Sequence, residues 1–257
     1  MRRRTAVGKV GPRAMSVASN VIAGIGWITG REYGCVRRQV GGSYAEMRWL
    51  RSEMLDRSIF SYPVKGFAKY DRVSQMTCCA TALALYDAGM PYSENRKQDI
   101  GILGTNSDGC LQSNLDFFGD FVENGRTLGR ANLFVSTLPS IPIAEAAIHF
   151  RCQGPLLYMR FPKESIASLI LQSDRMIVRE EAEAMMAVRA TEEEAQCFVL
   201  RRPEDVPSGS LLTLDQAIEL AKKTPSAAEM IQVLSNPQGE GNGCMARRED
   251  ACRKKRP

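Results

Sequence analysis

Asp99-Ile-Gly-Ile-Leu-Gly-Thr105 is an apolar run of strand length, and its glycines leave room for another backbone or a ligand to come close. Upstream, Val21-Ile-Ala-Gly-Ile-Gly-Trp-Ile28 has the same character and ends in a turn. Both read as buried central strands. Between them, residues 70–89 carry Val73, Met76, Thr77, Ala80, Leu83, Ala84 and Ala88 at three- and four-residue spacing. That is a buried helical stripe, and Gly89 stops it. Downstream, a helix over 111–124 presents Leu115, Phe118, Phe121 and Val122, and another lies near 143–150, with a proline-bearing connection between them. A third strand is expected over 156–161. Pro162 then suits the first turn of a helix carrying Ile166, Leu169, Ile170 and Met176. Strands at 184–188 and 197–200 complete the set. The fold class is a layered α/β arrangement, with a mixed, mostly parallel five-stranded sheet and helices on both faces.

Beyond Arg201 the pattern changes. Thr213 with Gln216, and Ser226 with Glu229, have capping-box spacing, so 201–240 reads as a short helical extension of two helices parted by Pro225. Residues 1–20 and 241–257 read as basic, disordered ends. The net charge of +5 gathers there, in Arg2 to Arg4 and in Arg247, Arg248, Arg253, Lys254, Lys255 and Arg256. Solvated tails account for such ends, and nucleic acid is not the expected partner. No internal repeat is visible.

Eight cysteines are scattered through a chain long enough to bury its own core, with Cys78 beside Cys79 in an apolar run. Reduced thiols in the cytoplasm fit better than a disulfide framework. With no C-x-x-C pair and only His149 as imidazole, no metal is expected. The stretch from Val21 to Gly30 is too short to span a bilayer, and no signal core follows the first arginines, although Met15 is an alternative start. Gly24, Gly26 and Gly30 have the wrong last spacing for a dinucleotide loop, so no cofactor is expected. His149, beside Phe150 on an apolar helix, reads as a hydrogen-bonded core residue, Cys152 as an inert core thiol, and Ser165 as a polar residue of a first helical turn.

Phe67-Ala-Lys-Tyr-Asp-Arg-Val-Ser74, Leu83-Ala-Leu-Tyr-Asp-Ala-Gly89, Asp99-Ile-Gly-Ile-Leu-Gly-Thr105, Asn132-Leu-Phe-Val-Ser-Thr-Leu-Pro139 and Cys152-Gln-Gly-Pro155 come in the order found in β-ketoacyl synthases. Over 21–200 the chain resembles the N-terminal half of that family, which implies the thiolase-like fold. The family's nucleophilic cysteine stands eight residues beyond the Gly-Pro proline, at a helix N-terminus that favours the thiolate. Here that position is Lys163. A protonated lysine is no nucleophile, and the family's catalytic histidines belong to the second half. The resemblance therefore implies a non-catalytic subunit like a chain-length factor, pairing with a full-length β-ketoacyl synthase in type II fatty acid, polyketide or aryl polyene synthesis, with an acyl carrier protein as further partner. It also implies a dimer interface or acyl-tunnel wall at Ser107, Leu111, Asn114, Leu115 and Phe118, with Phe134 and Thr137 from the strand leading toward Gly-Pro. A self-associating module, a homodimer holding an acyl chain or carrier protein, and an acyl-transfer enzyme using another cysteine stay open. An extension over 213–236, or another chain, is expected to cover the face that a second half would bury.

Overall fold

The computed structural model describes residues 19–43, 60–106, 109–127, 129–161, 166–206, 209–224 and 226–235. Eight strands form one sheet: β1 (Val21–Thr29), β2 (Glu32–Cys35), β3 (Gly41–Ser43), β4 (Ile100–Thr105), β5 (Leu156–Tyr158), β6 (Ala184–Ala190), β7 (Glu194–Arg201) and β8 (Leu212–Thr213). Their order is β3-β2-β1-β7-β6-β4-β5, with β8 also paired to β1. The helices are α1 (Arg72–Asp87), α2 (Leu111–Glu123), α3 (Ala131–Ser136), α4 (Ile141–Phe150), α5 (Ile166–Val178), α6 (Leu214–Lys223) and α7 (Ala227–Ser235).

The layered α/β expectation holds, with helices on both faces. Two details are corrected. The sheet has eight strands rather than five, because the short β2, β3 and β8 carry too few apolar residues to be read as strands. It is also mostly antiparallel: only β4 pairs in parallel, with β5 and β6, while five other pairings are antiparallel. The cause is the tight turn at 191–193, where the Thr191 and Glu194 backbones bond and send β7 back along β6. A returning strand makes both its neighbours antiparallel.

The order of assembly follows from β1 and α1. Both are buried along nearly their whole length, and α1 is apolar around most of its circumference, as a helix enclosed on several sides must be. Gly24 and Gly26 make the seating possible. A Cβ on Gly24 would lie 2.7 Å from the Ala84 carbonyl oxygen, and one on Gly26 2.5 Å from that of Ala80. These glycines serve helix packing. Asp87, fully buried at the end of α1, accepts from the Ile25 N–H (2.8 Å) and the Arg38 N–H (3.0 Å), tying helix to sheet and to the turn after β2.

α1 and α4 cover one face of the sheet; α5, α6 and α7 cover the other. The capping box of α6 is complete, and Ser226 Oγ accepts from Glu229 N–H at the start of α7. Leu214, Ala217, Ile218, Leu220 and Ala221 of α6, with Ala227 and Met230 of α7, close the second core. The extension thus packs on the sheet face that also carries α5. Both basic ends and Pro225 lie outside the described residues.

His149 is buried among Phe60, Tyr62, Tyr92 and Phe150, and Tyr62 donates its hydroxyl to the His149 carbonyl. It is a core residue, but its Nε2 has no hydrogen-bond partner, contrary to the hydrogen-bonded expectation. Burial among rings disfavours the imidazolium and lowers its pKa from 6.5 to about 4.

Two outcomes are expected. Gly26→Ala should lower the urea midpoint by the equivalent of about 3 kcal/mol, since backbone cannot yield as a flexible side chain can. The unfolded chain binds the His149 proton more tightly than the folded one, so stability is full above pH 6.5 and falls as pH drops toward 4. At pH 5 the native chain should have lost roughly 2 kcal/mol through this group. His149→Phe should flatten that slope in urea titrations at pH 7 and pH 5.

Candidate functional site

After β4 the chain leaves the sheet and builds a helical hairpin, α2 and α3, that packs chiefly on itself. Its base is a polar knot. Gly109 N–H donates to Asn106 Oδ1 (2.7 Å), and Tyr158 of β5 donates its hydroxyl to the same oxygen (3.2 Å). Cys110 then takes a left-handed backbone (φ 62°) and starts α2. Asn114 Nδ2 donates to the carbonyls of Cys110 (2.8 Å) and Thr137 (3.2 Å), joining the foot of α2 to that of α3. Ser113 Oγ donates to Asp71 Oδ2 (3.1 Å), while Asp71 Oδ1 accepts from Ser74 N–H (2.7 Å) as the N-cap of α1. The hairpin is therefore keyed to the helix that organises the core. At its far end Arg130 pairs with Asp120, which also accepts from Asn124 Nδ2 (3.0 Å). The hydrogen bond from Arg130 holds the Asp120 carboxyl below the usual range.

Between the two helices, Phe117 packs on Phe134 and Phe121 at ring separations of 5.6 and 6.5 Å. The rest of the apolar surface faces outward. Leu111, Leu115, Phe118 and Val122 recur at the spacing of one helix face and are exposed, Phe118 to 63%. Phe134, Val135 and Leu138 extend the patch from the second segment. An amphipathic helix ordinarily turns such a stripe toward its own core; this one is turned outward.

Of the residues predicted from the sequence, Leu111, Leu115 and Phe118 share one exposed face of α2, and Phe134 of α3 is exposed as well. Asn114 and Thr137 meet at the base instead. Thr137 is buried, with its hydroxyl donating to the Phe134 carbonyl (2.7 Å), which turns it away from any wall. The segment carrying Phe134 and Thr137 is helix, not strand, because Arg130 and Asn114 hold its two ends to α2. Ser107, Lys163 and Ser165 lie outside the described residues. The sequence reading missed the exposed Val135, Leu138 and Leu157, and also Ile148 and Leu156, which are exposed at an apolar recess of about 310 Å³ beside the edge strand β5. Nothing in an apolar strand distinguishes an exposed edge from a covered one.

Thiol chemistry is suppressed throughout the described core. Burial pushes Cys35 and Cys152 up to about 12 and Cys110 to about 11, and Cys78, Cys79 and Cys197 higher still. Such groups hold almost no thiolate near neutral pH. Cys152 is only partly exposed, and burial of its thiol favours the protonated form. Among the described residues, no cysteine or histidine lines the cleft of about 1040 Å³ between α1, α2 and the 191–193 turn. Among the described residues no cluster suited to a metal ion is present, and no helix is long and apolar enough to cross a membrane.

Among solved structures the chain is similar to the ishigamide ketosynthase/chain length factor, at TM-score 0.57 and 16% identity over 74% of this chain and 64% of that one. It is also similar to a β-ketoacyl synthase from Burkholderia phymatum, at TM-score 0.51 and 17% identity over 74% of this chain and 60% of that one. The fold is thiolase-like, of the ketosynthase kind. The chain spans about three fifths of the length of these ketosynthase structures. No family model and no curated protein matches it.

Because the outward residues of this ketosynthase-like chain touch little of their own body, Leu115→Glu with Phe118→Glu should leave stability within about 0.5 kcal/mol in urea titration. Arg130→Ala, which unties the hairpin, should instead speed amide exchange across 111–136.

Proposed function

We propose that the chain is a non-catalytic subunit that pairs with a full-length β-ketoacyl synthase through the α2–α3 hairpin, and that the apolar stripe forms part of the wall of its partner's acyl tunnel. The observation carrying this reading is the exposed run Leu111, Leu115, Phe118, Val122, Phe134. An apolar exterior of this size on a hairpin marks a surface that another chain covers. A chain-length factor relates to its synthase in this way, and the fold likeness includes a ketosynthase/chain length factor structure.

Three further features support the absence of turnover. The described thiols are held protonated by burial. The sequence position where the resemblance sets the nucleophile is Lys163, whose cation disfavours a helix start. The one histidine of the described core, His149, is enclosed by Phe60, Tyr62, Tyr92 and Phe150, away from any thioester carbonyl. Phe118 and Phe134, large and rigid, would set how far a growing chain extends, in fatty acid, polyketide or aryl polyene synthesis with an acyl carrier protein as donor.

Co-expression with full-length synthases encoded beside the gene tests the pairing. The native chain should co-purify with one of them in equal amounts, and the Leu115→Glu, Phe118→Glu variant should lose at least tenfold of that yield. Equal recovery of native and variant chains would refute the hairpin as interface. Intact mass after incubation with an acyl thioester should show no adduct on the isolated chain; an acylated cysteine would refute the non-catalytic reading.

A further inference from the structure

Four side chains stand in a row across the sheet. The strand register sets Thr105 of β4 beside Arg189 of β6, Arg189 beside Gln196 of β7, and Gln196 beside Trp27 of β1. Alternation along each strand puts all four on the face covered by α5, with Leu103, Ala187, Phe198 and Ile25 as neighbours. Those neighbours are apolar; the row is not.

Thr105 is 3% exposed and Gln196 1%. Thr105 Oγ1, Arg189 Nε and both amide atoms of Gln196 are buried without a hydrogen-bond partner. Buried polar groups are nearly always bonded, so four orphaned atoms in one row mark a place that something else completes. The rest of Arg189 is engaged: it donates from one terminal nitrogen to Glu194 Oε1 (2.6 Å), and Glu194 Oε2 accepts from Ala227 N–H at the start of α7 (3.0 Å). The Arg189 side chain stays 16% exposed, so the row reaches solvent on that side.

The charge at this place favours an anion. Thr105 closes β4 and Arg189 stands one residue from the end of β6, so both lie at the carboxyl ends of parallel strands, where α/β sheets bind ligands. α5 links parallel strands β5 and β6, so it begins at that same end. The start of α7, whose Ala227 N–H reaches Glu194, adds partial positive charge beside the guanidinium and its Glu194 partner.

We infer that the Thr105–Arg189–Gln196 row binds the carboxylate of a small organic acid. The Thr105 hydroxyl, Arg189 Nε–H and Gln196 Nε2–H donate to the two carboxylate oxygens, and Gln196 Oε1 takes a water carried in with the acid. The site is distinct from the α2–α3 patch and does not depend on pairing.

Thermal unfolding of the full chain in sodium butyrate, with 1-butanol and sodium chloride of matched ionic strength as controls, tests it. Butyrate should give a saturable rise in Tm, on the order of 3 °C at tenfold excess over Kd, that neither control reproduces. Gln196→Leu and Thr105→Val should abolish the rise. Should Gln196→Leu fail to fold, Thr105→Val, which deletes only a hydroxyl, decides. No saturable rise, a rise matched by butanol or chloride, or an undiminished rise in the folded variants would overturn the inference.

Discussion

The structure depends on how closely one helix can approach one strand. Gly24 and Gly26 strip side chains from β1 where α1 crosses it, so helix backbone and strand backbone meet with nothing between. From that contact the order of the sheet follows. β1 is buried on both faces, Asp87 at the end of α1 bonds to the Ile25 and Arg38 amides, and β7 pairs along the length of β1. The start of the same helix carries Asp71, which caps it and also receives Ser113 of α2. The seating of α1 therefore also governs the direction in which the α2–α3 hairpin leaves the body.

That hairpin separates two kinds of apolar residue that sequence alone cannot distinguish. Leu83 and Leu115 both sit in helical stripes, yet Leu83 is fully buried and Leu115 more than half exposed. The stripe announces that a surface must be covered and is silent on which chain covers it. The polar residues at the hairpin's base and tip, Asn106, Asn114, Asp120 and Arg130, hold its shape without drawing it onto the sheet. In contrast, α6 and α7 turn their stripes inward and finish the second core within the described residues.

Long elements with strict periodicity were legible before the structure: β1, α1, β4, α2, α5 and the capped α6 stand within a few residues of their expected bounds. What escaped was decided by pairing. β2 and β3 are short and glycine-rich, stabilised by register with β1 and not by their own composition. β7 was legible as a strand, but its reversal depends on the Thr191–Glu194 turn, which no apolar pattern records. Asn132 to Leu138 read from its own residues only as part of a proline-bearing connection, and as strand through the resemblance alone; contacts with α2 made the start of it helix. The exposed patch was found in part through the resemblance, since Leu111, Leu115, Phe118 and Phe134 were named from it. The buried row at Thr105, Arg189 and Gln196 could not be, because strand register alone brings those residues together.

Hydrogen exchange read by mass spectrometry, on the chain alone and after co-expression with its candidate synthase, addresses the central claim most directly. The account predicts that amides of 111–123 and 131–136 exchange quickly in the free chain and slow at least tenfold in the complex, while β1 and α1 are slow in both. A stable complex that leaves the exchange of both hairpin helices unchanged would contradict it.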